Sequence, residues 1–156
     1  MSSFSKIICT LLLGTLFSCQ NQPQSEESEQ VVLFVCTHGA ARSPIAAAYF
    51  NRAVEEKGLN YKAIFRATEP DSILTRETAN GLTNDNFTIE GWFPQLVTDN
   101  DVRSAAKIVT FDCTLPLENI SAEQWNGTPS ISKDYEVARD RIVEKVDRLV
   151  ESLSKD

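Results

Sequence analysis

The sequence predicts an α/β fold, a small three-layer sandwich in which a central four-stranded parallel sheet is flanked by helices. Two observations favour this class. Apolar segments rich in β-branched residues alternate with amphipathic segments from residue 31 onward, an order that is typical of parallel sheets covered by helices. The first such segment, VVLFV at 31–35, is apolar at every position, as expected for a strand buried on both faces. We see no internal repeat, so residues 31–156 are interpreted as one domain.

A helix follows the first strand. The segment 43–58 has Ser43 where a capping residue is expected, Pro44 at a position suited to the first helical turn, and Gly58 where the helix should end. Residues 61–67, YKAIFRA, then predict the second strand. This order places the end of the first strand at the carboxyl edge of the sheet, where open α/β sheets bind their ligands.

The remaining elements continue the alternation. Short helices are predicted at 75–82 and at 99–105, the second with a capping aspartate, and a third strand is predicted at 106–111. A short strand is expected near Trp125. A long terminal helix at 134–153 carries one apolar stripe, which predicts that it packs on the core; the stripe consists of Ala138, Ile142, Val146, Leu149 and Leu153.

The first 30 residues are interpreted as an export signal and a tether. Lys6 precedes the apolar run IICTLLLGTLF, which is too short to span a bilayer with margin, and small residues close the run, so residues 1–18 predict a secretory signal peptide. The closing LFSC resembles a bacterial lipobox, which implies cleavage before Cys19 and lipidation of that cysteine; an ordinary signal peptide with an incidental cysteine is the alternative. Residues 20–30 hold no large apolar residue, so 19–30 is predicted to be a flexible tether.

Charge and expected location limit the partners. The chain has a formal net charge of −7, which argues against nucleic acid, because phosphate backbones need a basic surface. Any anion site must therefore be local. The signal and the lipid predict an exported lipoprotein that is anchored to a membrane and faces the periplasm or the cell exterior. We expect the domain to be a monomer that meets the membrane through its lipid.

The chain has four cysteines, but Cys9 leaves with the signal peptide and Cys19 is assigned to the lipid. Cys36 and Cys113 remain, and two cysteines in an exported domain could form a structural disulfide. Against this, each lies at the end of an apolar run. Both are therefore expected at the carboxyl edge of the sheet, where they are candidates for one functional site.

The segment between the first strand and the first helix predicts an oxyanion site. Cys36 is followed by the small residues THGAA and then by Arg42 and Ser43. Small residues allow backbone N–H groups to turn inward beside a helix N-terminus, and such a nest binds a tetrahedral oxyanion. The Arg42 guanidinium can bind two oxygens of that anion, while the same field favours a Cys36 thiolate, to which the Ser43 hydroxyl can donate. These residues predict a cysteine nucleophile aimed at a bound phosphate, which is held by Thr37, His38, Gly39, Ala40, Ala41 and Arg42.

The pattern Cys-x5-Arg-Ser-Pro on a strand, loop and helix resembles the low-molecular-weight protein tyrosine phosphatases and their relatives, the thioredoxin- or mycothiol-linked arsenate reductases. Other segments are also similar: RSPIAAAYF to the helix after the phosphate-binding loop, ATEP to the exit of the second strand, and KIVTF to the third strand. The resemblance covers most of residues 31–154. It implies a phosphate-binding loop after the first strand, a thiophosphate intermediate on Cys36, and catalysis without a metal or another cofactor.

Two positions depart from the family pattern. The phosphatases usually carry an asparagine in the middle of the loop, which braces its backbone, and Gly39 stands there. Their general acid is an aspartate before the last helix, and the corresponding positions read Pro129-Ser130. Asp134 lies further on and is a candidate acid, although it is also placed to cap the terminal helix. Asp112, at the exit of the third strand, is another candidate.

Three functions fit these residues. The first is a phosphomonoesterase that acts on a phosphorylated small molecule or a phosphotyrosine protein through Cys36, Arg42 and Ser43. The second is arsenate reduction in the same pocket, with Cys113 as the possible resolving thiol; a third cysteine, as in the thioredoxin-linked enzymes, is missing from the domain, so an external thiol would be required. The third is a non-catalytic oxyanion-binding lipoprotein. We expect Cys113 near the pocket but outside disulfide geometry with Cys36, which ranks the phosphatase first.

The missing acid also predicts which substrates are favoured. General acid catalysis contributes a factor of ~10²–10⁴ in rate, so a phosphatase without an acid should select esters with good leaving groups. Aromatic side chains are candidates for the walls of the mouth, although each also fits a core position; they are Trp92, Phe93, Trp125 and Tyr135.

Overall fold

The computed structural model describes residues 28–155. The predicted signal at 1–18 and most of the tether at 19–30 lie outside these residues. None of the described helices combines the length and the apolar composition needed to cross a membrane. In chain order the elements are β1 (Gln30–Cys36), α1 (Arg42–Lys57), β2 (Tyr61–Ala67), α2 (Arg76–Asn84), α3 (Asp99–Ser104), β3 (Ala105–Phe111), β4 (Glu123–Gln124) and α4 (Tyr135–Leu153).

A four-stranded, all-parallel sheet forms the centre of the domain, which confirms the predicted fold class. The strand order is β2-β1-β3-β4, so β1 is flanked on both sides. Its register pairs Cys36 with Ala67 of β2 and with Phe111 of β3. The ends of three strands therefore meet at the carboxyl edge of the sheet beside Cys36.

The side chains of β1 alternate between two cores. Val32, Phe34 and Cys36 face the core that includes α1 and α4, whereas Leu33 and Val35 face the core that includes α3. All five are buried, and an apolar side chain of this size contributes about 1.5–3 kcal/mol when it is fully buried. Because helices cover both faces of the sheet, every position of the strand after Gln30 is apolar.

α1 begins at Arg42, and Ser43 does not cap it as predicted. The residue before the helix is Ala41, which makes no capping hydrogen bond through its side chain. Ser43 lies inside the first turn and is fully buried, because its hydroxyl contacts the sulfur of Cys36 instead of a backbone N–H group. Gly58 ends the helix with a φ of 63°, as predicted, in the left-handed region that glycine adopts without strain.

Threonines cap both short helices. The Thr75 hydroxyl accepts a hydrogen bond from the N–H of Thr78 at the start of α2. At the start of α3 the Thr98 hydroxyl accepts from the N–H of Asp101, and the Asp101 carboxylate accepts from the N–H of Thr98. The prediction of a capping aspartate is therefore wrong, since the capping box puts a threonine at the cap and an aspartate three residues later.

The terminal part of the chain follows the sequence prediction closely. β4 adjoins Trp125, and α4 begins directly after Asp134, whose side chain caps it. Most of the predicted stripe on α4 is buried, whereas Leu153 is half-buried; the buried residues of the helix are Ala138, Ile142, Val146, Leu149 and Val150.

A partly buried polar cluster joins α1, the end of α2 and the start of α4. The Asp85 carboxylate accepts hydrogen bonds from the hydroxyls of Tyr49 at 2.7 Å and Tyr135 at 2.8 Å, and from the guanidinium of Arg139 at 3.0 Å. Burial opposes ionisation of Asp85, but these three donors hold its pKa below the usual value. The Tyr135 ring also packs on Gly81, where an added Cβ would come within 2.2 Å of it. The cluster therefore fixes the start of α4 against α1 and α2.

Candidate active site

Cys36 is the last residue of β1, and its sulfur lies 3.1 Å from the hydroxyl oxygen of Ser43. Both residues are buried. The same hydroxyl lies 3.4 Å from the carbonyl oxygen of Arg66, but it has one hydrogen and donates that hydrogen to one acceptor at a time. A charged sulfur is the stronger acceptor, so the geometry suits a hydroxyl that stabilises a Cys36 thiolate.

The residues from Cys36 to Arg42, called the phosphate loop below, are held from one side by residues 68–75, called the bracing segment. Four backbone N–H groups of the bracing segment donate to four carbonyl oxygens of the loop, over distances from 2.8 to 3.4 Å. These bonds explain how the loop keeps its shape. The donors are Thr68, Glu69, Asp71 and Thr75, and the respective acceptors are Cys36, Thr37, His38 and Ala40.

The same bonds orient the N–H groups of the phosphate loop. The peptide bonds of the described chain are all trans, so the N–H of each braced peptide points opposite to its carbonyl, away from the bracing segment. Within residues 28–155 these N–H groups donate to no other protein atom. Together with the N-terminus of α1 they form a group of free donors that suits a tetrahedral oxyanion; they belong to Thr37, His38, Gly39 and Ala41.

Gly39 occupies the loop position at which the family pattern has an asparagine. Its φ is 64°, and an added Cβ would lie 2.9 Å from the Cβ of Ala67 and 3.1 Å from that of Pro94. Both the backbone angle and the lack of space disfavour a side chain at this position. The hydrogen bonds from the bracing segment and this close packing hold the loop without an asparagine.

The guanidinium group of Arg42 is held beside the loop by Asp112, which follows β3. Nη1 of Arg42 donates to Oδ2 of Asp112, and Oδ1 of the same carboxylate accepts the N–H of Gly127 at 3.1 Å. Asp112 has a φ of 47°, a left-handed conformation that aspartate tolerates better than most residues. In the described part of the chain, Nε and Nη2 of Arg42 donate to no protein atom. Two donors therefore remain free for an oxyanion while Nη1 is tethered.

The imidazole of His38 is directed toward the bracing segment. Its Nδ1 lies 3.2 Å from the carbonyl oxygen of Glu69 and 3.7 Å from a carboxylate oxygen of Asp71. The side chain is 59% exposed. His38 therefore offers its backbone N–H to a ligand, while its ring adds a contact between the loop and the bracing segment.

A cleft of about 340 Å³ opens beside Arg42. Residues 128–132, called the hydroxyl wall below, form its opposite side and include the positions at which the family pattern has its acid. The hydroxyl oxygens of Ser130 and Ser132 lie 2.9 Å apart in this wall. Among the described residues, neither a carboxylate nor an aromatic side chain lines the cleft; the lining residues are Ala41, Arg42, Thr75, Thr128, Pro129, Ser130, Ile131 and Ser132.

The two candidate acids are placed elsewhere. Oδ1 of Asp134 accepts the N–H of Val137 at 3.1 Å and so caps α4. Asp112 accepts hydrogen bonds at both oxygens, from Arg42 and from Gly127, so both oxygens are engaged by donors of the protein. Thus no carboxyl group of the described residues faces the cleft. Nor does any group of histidine, cysteine and acidic side chains in this part of the chain have an arrangement that could hold a metal ion.

The aromatic side chains considered for the mouth are used in other contacts. Trp125 is buried in the core, Tyr135 binds Asp85, and Trp92 packs against β2. Phe93 is 52% exposed but does not line the cleft. Among the described residues, the cleft beside Arg42 therefore has no aromatic wall.

Cys113 is a free thiol near the loop, on the other face of the sheet. It packs in the core that includes Leu33 and Val35, and its thiol donates to the carbonyl oxygen of Val35 at 3.6 Å. Burial raises the pKa of Cys113, and the neighbouring Cys36 raises it further. The sequence predicted that Cys113 lies near the pocket but outside disulfide geometry with Cys36. In the structure both cysteines are free thiols.

Two parts of the site were not predicted. The only feature of the sequence that pointed to the bracing segment was the resemblance of ATEP to a strand exit. Its hydrogen bonds to the loop are made by backbone atoms, so they do not depend on particular residue types that a sequence would reveal. The hydroxyl side chains of Thr75, Thr128 and Ser132 were missed because serine and threonine are also common in turns. The sequence did show that Pro129-Ser130 stands where the family has an acid, and this was the one indication that the wall differs from the family pattern.

Solved structures share the fold. YfkJ from Bacillus subtilis superposes with a TM-score of 0.72 at 20% identity, over 83% of this chain and 98% of that one. A thioredoxin-dependent arsenate reductase from Corynebacterium glutamicum gives a TM-score of 0.67 at 22% identity, over 83% of this chain and 64% of that one. A low molecular weight protein tyrosine phosphatase from T. tengcongensis gives 0.64 at 16% identity, over 79% and 99%. At these identities the likeness concerns the fold alone.

The sequence itself gives the family. No curated protein sequence matches the chain closely enough to count as a relative. The family model for the low molecular weight phosphotyrosine protein phosphatases matches residues 31–125, more than half of the chain. The match includes the phosphate loop, the bracing segment and Asp112, and it ends before the hydroxyl wall. The chain therefore belongs to the low molecular weight phosphotyrosine protein phosphatase family.

Proposed function

We propose that the protein is a phosphomonoesterase with Cys36 as its nucleophile. The observation that carries this proposal is the orientation of the phosphate loop: its braced carbonyls point to one side, and its free N–H groups point to the other. Such donors bind a phosphoryl group without a metal, and they stabilise the charge that builds on its oxygens in the transition state. Arg42 adds two free donors at the edge of the same loop.

In the first step the Cys36 thiolate attacks phosphorus, an S–P bond forms and the bond from phosphorus to the leaving oxygen breaks. The leaving group departs with the electron pair of that bond. In the second step water attacks the thiophosphate, the S–P bond breaks, and inorganic phosphate and the thiolate are released with the proton of the water. Ser43 holds the sulfur in place and donates to it whenever it carries charge.

Arsenate reduction in the same pocket ranks second. It needs a thiol that attacks the arsenic adduct on Cys36, and Cys113 is the available thiol in the described chain. Its raised pKa and its position on the opposite face of the sheet make it a poor attacking group. A non-catalytic oxyanion-binding protein ranks third, because free donors alone would not require a buried cysteine beside Ser43.

Turnover of 4-nitrophenyl phosphate by the purified protein tests the proposal, with Cys36→Ser as the matched control. We expect release of nitrophenol by the unaltered chain and none above background for the variant. Trapping with acid and mass spectrometry should also find a phosphate on Cys36. If the two proteins release nitrophenol at the same rate, the proposal is wrong; arsenate turnover that requires an added thiol would favour the second function.

We also propose that the domain acts outside the cytoplasm as a lipoprotein, with the lipid on Cys19. This proposal rests on the sequence alone, because residues 1–27 lie outside the described chain. Growth of expressing cells with an alkyne fatty acid should label the protein, and Cys19→Ala should abolish the label. Equal labelling of both proteins would contradict it.

A further inference from the structure

We infer that the active site faces away from the membrane that holds the lipid, so that its substrates are phosphomonoesters in the aqueous space and not phosphorylated headgroups of that membrane. The inference rests on the proposed function and on the proposed lipid at Cys19, and it names where the substrate lies. Three observations carry it: the direction of β1, the length of chain between Cys19 and this strand, and the charge beside the phosphate loop.

β1 leads from the tether to the nucleophile. The strand has seven residues, begins at Gln30 and ends at Cys36, and a rise of ~3.3 Å per residue puts these two residues ~20 Å apart. Because all strands are parallel, they begin at one edge of the sheet, called the amino edge below, and end at the other. The chain therefore enters the domain at the edge opposite to the phosphate loop.

The entry point is fixed by contacts at the start of β2. The N–H of Gln30 donates to the carbonyl oxygen of Asn60 at 3.0 Å, and Gln30 is in register with Tyr61, the first residue of β2. The Glu29 carboxylate lies 4.0 Å from Nζ of Lys62. The reach of the tether is therefore counted from the amino edge and not from a point nearer to the site.

The length of the tether disfavours the opposite orientation. With the site against the membrane, Gln30 would lie ~20 Å or more above it, and the chain would have to pass around a domain with a radius of ~18 Å, a path of ~30 Å. The 11 residues from Cys19 to Glu29 reach about 40 Å when fully extended, but as a coil they span only ~17–20 Å. With the site facing away, the chain bridges only the short gap between the membrane and the amino edge.

The charge beside the phosphate loop favours the same orientation. Glu69 and Asp71 of the bracing segment are exposed, and residues 67–75 contain no lysine or arginine. Anionic lipids attract basic residues near their surface by about 1 kcal/mol each, so they repel acidic ones. Ile73 is 71% exposed, but it could enter a bilayer only with Asp71, two residues away, among the headgroups. This side of the site therefore suits water better than lipid.

Energy transfer measures the orientation of the lipidated full-length protein on vesicles that contain an anionic lipid and a lipid with an acceptor dye. A donor dye is attached to Ile73→Cys, beside the phosphate loop, or to Lys57→Cys, at the end of α1 on the amino edge. Cys36 and Cys113 are replaced by serine in both proteins. We expect more efficient transfer from residue 57 than from residue 73, because residue 57 lies nearer to the membrane. Equal transfer, more efficient transfer from residue 73, or failure of the lipidated chain to bind the vesicles would overturn the inference.

A functional arm compares two esters that have the same leaving group. One is an aryl phosphate free in solution, and the other is the same aryl phosphate linked to a lipid so that its phosphate lies among the headgroups. A variant with about 20 glycine and serine residues inserted after Gln24 has a coil span of ~30 Å, which matches the path around the domain. We expect the ratio of lipid-borne to soluble ester turnover to be about 10-fold higher for this variant than for the unaltered tether, since effective concentration is maximal when the span of a linker matches the distance.

The control is Cys19→Ala in both tether lengths. These proteins carry no lipid, so the ratio of the two activities should not depend on the length of the tether. An equal ratio for the two lipidated tethers would overturn the inference, because tether length would then not set the orientation. Loss of turnover of both esters would contradict the phosphatase proposal, and energy transfer would still decide the orientation.

Discussion

The two sides of the candidate site are built differently. The phosphate loop is held by four backbone hydrogen bonds from the bracing segment, and it lies within the residues that match the family. The hydroxyl wall lies beyond that match, and its two serines are exposed and bonded to each other. In the proposed reaction the loop binds the phosphoryl group, which is the same in every substrate, and the wall is placed to meet the leaving group, which differs. We infer that the chemistry depends on the rigid side and substrate choice on the variable side.

The largest effect should come from Arg42→Lys, which keeps the charge of the loop edge but loses its spare donors. A lysine ammonium would pair with Asp112, as Nη1 of Arg42 does now, and it cannot also offer the two free donors in a fixed plane. We expect kcat/KM to fall by about 10²–10³, as for the loss of an oxyanion donor.

Alkylation provides a measurement that does not require turnover. Phosphate or vanadate should slow the reaction of Cys36 with iodoacetamide in the unaltered protein and protect it little in Arg42→Lys. Alkylation of Cys113, followed by mass spectrometry in the same samples, is the internal control. Equal protection of Cys36 in both proteins would mean that Arg42 does not bind the anion.

Gly39→Ala should disturb the loop and leave the wall intact. Gly39 and Gly58 have nearly the same φ, 64° and 63°, but an added Cβ meets Ala67 and Pro94 at the first and nothing within 4 Å at the second. Gly58→Ala therefore measures the cost of the backbone angle alone, about 1–2 kcal/mol. Gly39→Ala should lower the free energy of unfolding by a further ~1–3 kcal/mol through crowding.

Urea denaturation of both variants measures these costs, and the alkylation assay reports on the loop. Protection of Cys36 by phosphate should be lost in Gly39→Ala and kept in Gly58→Ala. Identical unfolding curves for the two variants would show that the loop relaxes away from Ala67 and Pro94 and is not rigid.

The sequence predicted the loop far better than the wall, and the reason is physical. The prediction for the loop rests on residues that are adjacent in the chain: Cys36, small residues and Arg42 at fixed spacing on a strand and a helix. The first strand was predictable because burial on both faces makes it apolar from Val31 to Cys36. The sequence indicated two possible roles for Ser43, as a cap of the helix and as a donor to the Cys36 sulfur. A serine before a helix normally binds backbone N–H groups, but the Ser43 hydroxyl lies 3.1 Å from the sulfur, so the second role fits the structure.

The wall could not be predicted in the same way, because its place depends on contacts between distant elements. Its residues precede α4, and α4 is fixed through Asp85 at the end of α2, which accepts hydrogen bonds from Tyr135 of α4 and from Tyr49 of α1. The aromatic side chains gave no decisive signal, since a tryptophan such as Trp125 fits a core more often than a mouth but the sequence allows both. Distinguishing the two needs the packing, which shows it buried in the core.

Ser130→Asp should restore an acid to the wall with a smaller effect. A carboxyl group at this position would protonate poor leaving groups. We expect turnover of phenyl phosphate to rise by about 10-fold, below the ~10²–10⁴ of an optimised acid, and turnover of 4-nitrophenyl phosphate, which has a better leaving group, to change less. Ser130→Asn is the control of equal size. An equal change of both activities, or a change of neither, would show that the side chain does not reach the leaving group.

The smallest effect on activity should come from Asp85→Asn, which changes the support of the wall without touching either side of the cleft. The variant weakens three hydrogen bonds to an ionised acceptor, so we expect the free energy of unfolding to fall by about 1–2 kcal/mol near neutral pH. Asp140→Asn is the matched control, because Asp140 binds the same Arg139 but is 69% exposed. It should cost less than about 0.5 kcal/mol, as exposed ion pairs do.

The pH dependence gives the sign of the Asp85 effect. Since the pKa of Asp85 is lowered in the folded protein, its contribution is fully present above the unfolded value of about 3.9 and is lost as the pH falls through the folded value. Burial and the hydrogen bond to Asp85 raise the pKa of Tyr49 to about 12, so the tyrosine contribution is present below about 10 and is lost as the pH rises toward 12. Unfolding in urea from pH 3 to pH 8 should show the unaltered protein and Asp85→Asn converging at the acid end. If their difference is constant with pH, the Asp85 carboxylate does not fix α4, and the wall must be held by other contacts.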